Sequence, residues 1–156
     1  MPCSGDGTIR KAPDIWAKWT PGGANSLHPL QLQIAMHACR MLKVGGLMVY
    51  STCSFNPVEN EAVVAEILRR AAGSVELLDV SQTLPNLKRM LGLKKWFIQD
   101  KGGSYASWEQ ARAANAYKVD KSMFYDDATE AMPLERCMRF LPHHQVSGKI
   151  AFIYNS

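Results

Sequence analysis

Between residues 27 and 80 the chain alternates two helical patterns with two short apolar runs, joined by turns of a few residues, and this rhythm constrains the fold most. Leu30, Ile34, Ala38 and Met41 recur at helical spacing in a helix expected from about Leu27 to Lys43. Asn25 or Ser26 would cap it, and Gly45-Gly46 lies beyond its end. Leu47-Met48-Val49-Tyr50 follows without alternation, as in a central parallel strand covered on both faces. A second helix is expected from Asn56 or Pro57, with Glu59 and Glu61 in its first turn, where negative charge suits the helix dipole. Its apolar face is Val63, Val64, Ile67 and Leu68, and Arg69-Arg70 end it before Gly73. Residues 75–80 read as the next strand. Helix, strand, helix, strand is α/β winding.

The rhythm breaks over residues 81–135, read as an insertion at one edge of the sheet. A hairpin is expected there, 95–99 with 104–106 around Asp100-Lys101-Gly102-Gly103, and then a short helix from Trp108 to Ala114. Lys149 to Tyr154 closes the chain as a strand. It is expected between strands 47–52 and 75–80 and antiparallel to both, making a three-stranded mixed sheet with flanking helices. Residues 8–25, with Pro13, Pro21, Gly22 and Gly23, read as irregular.

With 156 residues, 47% of them hydrophobic, the chain can bury a core as one domain without disulfides. Four cysteines without a Cys-x-x-Cys spacing argue against a disulfide scaffold, a zinc site and a thiol–disulfide enzyme. No apolar run approaches the roughly 18 residues of a membrane span, and no signal peptide precedes Cys3, so reduced thiols in an intracellular compartment are expected. A net charge of +4 permits a polyanionic partner without establishing one.

Two of the cysteines stand apart. Cys3 lies in Pro2-Cys3-Ser4-Gly5-Asp6-Gly7 and Cys53 in Ser51-Thr52-Cys53-Ser54-Phe55-Asn56-Pro57, both turn-forming contexts with hydroxyl neighbours. A thiol at the carboxyl end of a strand is a candidate nucleophile, and the two make sense as a pair if one cleft receives both. Gly5 and Gly7 are expected to serve backbone geometry around Cys3. Cys39 and Cys137 read as core thiols. His28 and His37 read as surface or packing residues of the first helix. Lys94-Lys95 beside Trp96 reads either as a phosphate contact with a stacking ring or as an edge of the core.

The combination Pro-Cys-Ser-Gly-Asp-Gly-Thr-Ile-Arg, Tyr-Ser-Thr-Cys-Ser-Phe-Asn-Pro-Val-Glu-Asn-Glu and Arg-Phe-Leu-Pro-His-His-Gln resembles the RNA cytosine-5 methyltransferases of the Nop/Sun family. Trp16-x-x-Trp19 and Leu134-Glu135-Arg136-Cys137 are similar to its eukaryotic tRNA-modifying branch. The resemblance implies a Rossmann-like S-adenosylmethionine-dependent methyltransferase fold. It implies that Cys53 attacks C6 of the cytosine and that Cys3 helps release the product. Covalent addition suits this chemistry, because C5 becomes nucleophilic once C6 is saturated. Pro2, Arg10, Lys11, Asn56, His143 and His144 are the candidate substrate or RNA contacts. For Arg10 and Lys11 the alternative is a solvated basic pair, for Asn56 a turn-shaping role, and for the histidines a solvated loop.

The family's aspartate two residues before the Pro-Cys thiol is replaced here by Met1. The Gly-rich loop and acidic residues that hold S-adenosylmethionine in the family are expected upstream, so the chain reads as a C-terminal catalytic half, inactive alone. The other reading is a non-catalytic RNA- or protein-binding module. RNA, in particular tRNA, is the expected partner, and the nucleus or nucleolus, or else the cytoplasm, the expected location. Strand 47–52 is expected to present an open edge, with Leu30 and Ile34 exposed. That edge would drive self-association or be covered by residues 8–25.

Overall fold

A computed structural model describes residues 1–83, 85–141, 143 and 148–155. Two short helices occupy the stretch read as irregular, α1 (Pro13–Lys18) and α2 (Pro21–Asn25), each with proline in its first turn. Proline there forfeits an amide that no helix would use and presets φ. Helix α3 (His28–Met41) and strand β1 (Leu47–Thr52) follow. A 3₁₀ turn (Pro57–Glu59) leads into helix α4 (Glu61–Ala71), which ends through left-handed Ala72. Strand β2 (Val75–Leu77) stops short of Val80. Then come β3 (Met90–Leu91), the hairpin β4 (Ile98–Gln99) and β5 (Ser104–Tyr105), and helices α5 (Trp108–Ala113) and α6 (Asp127–Glu130). Strands β6 (Met138–Phe140) and β7 (Gly148–Asn155) complete the chain.

The main sheet has five strands, not three. β7 lies between β1 and β2, antiparallel to both, as the sequence predicts, with Tyr50 opposite Ala151 and Leu77 opposite Ile153. The correction comes from β6, which pairs with the first residues of β7 beyond the end of β2, and from β3, which pairs with β6. At two and three residues, these strands are too short to carry a period-2 signal.

The core joins Tyr50, Val63, Val64, Ile67, Leu77, Leu134 and Ile153, all buried. The α3 face picked out by periodicity points outward, with Leu30, Ile34 and Met41 exposed. Its buried face carries His28, Gln31, Leu32 and Ala35. β1 is an edge strand covered on one face only: Tyr50 and Thr52 are buried, Leu47 and Val49 are each 52% exposed. Its paired edge is taken by β7, and residues 8–25 add no strand to the other.

His28 is a buried bridge. Its Nδ1 lies 2.7 Å from the Val58 carbonyl, which can only accept, so Nδ1 carries the proton; Nε2 lies 3.0 Å from Ser122 Oγ, whose own proton goes to Asp120 Oδ1 at 2.9 Å. Trp96 is buried too, donating to the Met123 carbonyl, while Lys94 and Lys95 pair with Glu135 and Glu130. Trp96 therefore belongs to the core and the two lysines to surface ion pairs.

Candidate active site

The Pro-Cys loop and the Thr-Cys-Ser loop cross at Gly7. Its amide donates to the Cys53 carbonyl at 2.9 Å, and a Cβ on it would stand 2.2 Å from that oxygen. Only glycine permits this approach. Gly5, at φ +73°, turns the chain into the crossing. Asp6 Oδ1 accepts the Phe55 amide at 2.8 Å on the other side of Cys53. The result places Cys3 Sγ and Cys53 Sγ 3.2 Å apart, both half-buried.

A fully buried carboxylate holds the two loops together. Glu59 accepts the Ser4 amide (2.7 Å), the Ser4 hydroxyl (2.5 Å), the Ser54 hydroxyl (2.6 Å) and Gln31 Nε2 (3.1 Å). Buried charge is tolerated when every lone pair is met in this way. Gln31 also donates to the Pro2 carbonyl, and Trp19 Nε1 donates to Ser4 Oγ. Gln31 Oε1 is buried with no donor among the described residues.

The Cys53 loop is fastened from its own side as well. Asn60 accepts from Thr52 Oγ1 and donates to the carbonyls of Ser54 and Asn56. Buried Arg139 grips both Glu61 carboxylate oxygens, at 2.8 and 2.9 Å, and donates to the Phe55 carbonyl. Glu61 in turn accepts the Leu93 amide. The sequence reading assigned Glu59 and Glu61 to a dipole effect and gave Arg139 no role. The available signal was the Pro-Val-Glu-Asn-Glu run, which begins four residues after Cys53.

Electrostatically the Cys53 thiol is at rest. Burial, then the hydrogen bond and charge of Cys3, push it up to about 11. At pH 7 roughly one molecule in 10⁴ would carry the thiolate. A thiol in that state is a weak nucleophile until it loses its proton.

The other predicted residues divide. Arg10 lines a pocket of about 370 Å³ with Asp6, Trp16, Trp19 and Phe55, and Asn56 lines a second, of about 230 Å³, that shares Asp6, Trp19 and Phe55. Asn56 also accepts the Val58 amide and so shapes the turn. Pro2 is exposed, with its carbonyl held by Gln31. Lys11 and His143 are exposed and line neither pocket. His144 lies outside the described residues. Cys137 is a core thiol, and Cys39 is half-buried within α3.

The glycine loop does not form a cradle for S-adenosylmethionine. The space before Gly7 is filled by the Cys53 carbonyl, and the amides of Ser4, Gly7 and Thr8 are all engaged. No cluster of potential metal ligands occurs among the described residues, and no described helix is long and apolar enough to cross a membrane.

The chain is 43% identical over 150 residues to the multisite-specific tRNA:(cytosine-C(5))-methyltransferase trm4b of Schizosaccharomyces pombe, covering 95% of this chain and 22% of that protein. It is 43% identical to the tRNA (cytosine(34)-C(5))-methyltransferase of Drosophila melanogaster, covering 95% of this chain and 20% of that one. The chain thus spans about a fifth of these relatives' lengths. The crystal structure of a methyltransferase homolog from Pyrococcus horikoshii shares the fold over 99% of this chain and 37% of its own, with a TM-score of 0.56 at 24% identity. Residues 1–99, both cysteine loops included, match the 16S rRNA methyltransferase RsmB/F family, and the chain belongs to that family.

Proposed function

We propose that the chain is the thiol-bearing part of an S-adenosylmethionine-dependent RNA cytosine-C5 methyltransferase acting on tRNA. The observation that carries this reading is the 3.2 Å approach of Cys3 and Cys53, set by the Glu59 clamp. The names of its relatives in yeast and fly support the substrate class.

Cys53, once deprotonated, adds to C6 of the pyrimidine. A sulfur lone pair forms the S–C6 bond, and the C5–C6 π electrons make C5 nucleophilic. After C5 has gained its substituent, loss of its proton re-forms the double bond and expels Cys53 as thiolate. Cys3, beside the S–C6 bond, assists this release. Extruding the base from a stack adds a few kcal/mol to the cost of reaching it. The Ser4, Gly7 and Thr8 amides are engaged within the protein and offer S-adenosylmethionine no cradle, and in this reading the chain by itself is inactive. Nuclear or nucleolar action fits the substrate, with the cytoplasm as the alternative.

The test uses labelled tRNA and this chain joined to the upstream part of the Schizosaccharomyces pombe relative. Cys53→Ala abolishes both methyl transfer and covalent capture of RNA. Cys3→Ala traps a protein–RNA adduct that survives a denaturing gel. Trapping by Cys53→Ala would exchange the two roles, and no effect of either substitution would return the chain to a binding module.

The open edge of β1, with Leu47 and Val49 exposed, further supports self-association through that strand.

A further inference from the structure

Beside the thiols lies a pocket whose lining the methyl-transfer reading does not use. Trp16, Trp19 and Phe55 supply three aromatic side chains, Arg10 a cation and Asp6 a carboxylate, around about 370 Å³. That volume is at the small end of ligand sites, roughly 300–1,000 Å³. Trp16 is 75% exposed on helix α1, an unusual place for a large indole in a chain that buries Trp96 at 5%. Trp19, by contrast, is fixed: its Nε1 donates to Ser4 Oγ, the same hydroxyl that Glu59 accepts. Phe55 is held through its amide by Asp6 and through its carbonyl by Arg139. The Trp19 indole and the Phe55 backbone are thus tied to both cysteine loops, while the Trp16 indole is largely exposed.

We infer that this pocket takes the base of a nucleotide adjoining the reacting cytosine in a single-stranded stretch of RNA. Aromatic faces stack on any base, and a cation at the rim suits the phosphate that follows it. The pocket wall includes Asp6, whose Oδ1 is held by the Phe55 amide, and a carboxylate there favours a base with an exocyclic amine over one with only carbonyls at that edge. The inference rests on the RNA reading above and adds to it the site of the neighbouring base. A duplex, whose bases are stacked on each other, cannot use the site.

The experiment measures fluorescence anisotropy of a labelled single-stranded RNA heptamer, with a cytidine at its centre, titrated with the 156-residue chain. A duplex of the same heptamer serves as the second arm. Trp16→Ala should weaken single-strand binding about tenfold, while Trp16→Phe keeps most of it. Duplex binding should be weaker and insensitive to either change. Circular dichroism of each variant checks that it is folded, and exposed Trp16 gives little reason for it not to be. Single-strand affinity unchanged in Trp16→Ala would overturn the inference and leave the RNA reading standing. Absence of binding by the unaltered chain would overturn both. An oligomer that dissociates in Trp16→Ala, with RNA affinity unchanged, would overturn the inference and assign the indole to contact with a second copy.

Discussion

Cys53 rests as a thiol, and its reactivity must follow the proton. With its pKa raised to about 11, alkylation by iodoacetamide should quicken about tenfold per pH unit from pH 7 to near 10. Cys3 contributes to that rise, second to burial, so Cys3→Ala should move the midpoint down toward the ordinary value of 9.0. Mass spectrometry of the Cys53 peptide across pH reads both outcomes, and a midpoint that stays or climbs would count against the coupling. The sign for stability is also fixed. A folded-state value above the unfolded one favours the neutral thiol, a contribution present below pH 9 and lost between 9 and 11. Glu59 sets a second test. Glu59→Gln leaves the hydroxyls of Ser4 or Ser54 facing an amide donor, and should cost about 2–4 kcal/mol in urea unfolding. It should also slow diamide-driven formation of a Cys3–Cys53 disulfide by separating the loops. The two thiols were legible in the sequence because turn residues and hydroxyls surround them. Glu59, Glu61 and Arg139 were not, since an acidic residue in a first helical turn ordinarily faces water. Only the arrival of Ser4, Gln31 and Phe55 from distant positions makes their burial tolerable.

Helices declare themselves through periodicity, yet a period does not say which way a face points. The α3 pattern located the helix to within two residues at each end but chose its exposed side, because the buried side is filled by His28 and Gln31, polar groups that find partners. Strand β1 was located and its covering misjudged, as an apolar run without alternation looks the same at an edge and at a centre. The bridge through His28 makes a prediction for this scale. Burial lowers its pKa below 6.5, so the folded state prefers the neutral ring. Stability should be intact above 6.5 and fall as the pH drops below it, because protonation places a charge on a buried ring. Urea midpoints at pH 7.5 and 5.5, compared with those of His28→Asn, isolate the effect. An equal loss in the variant would place the titration elsewhere.

For the molecule as a whole, the open side of β1 carries a prediction about assembly. Sedimentation velocity should show a concentration-dependent dimer, and Val49→Lys, which places a charge on the outward face of that strand, should abolish it. A monomer at all concentrations would remove self-association from the account. Calorimetric titration with S-adenosylmethionine should show no saturable heat, since the Ser4, Gly7 and Thr8 amides are already engaged within the protein. Micromolar binding would reveal a cradle elsewhere in these residues.

The crossing at Gly7 also has a consequence in time. The Cys3–Cys53 approach spans 50 positions and the Ser4–Glu59 bonds 55, so the site is made of non-local contacts whose closure entropy must be met before they contribute. Hydrogen exchange should find the Ser4 and Gly7 amides opening well before those of β1, which are held by the long β7 ladder. The two thiols are then the last parts to meet and the first to come apart, and a half-folded chain does not hold them side by side.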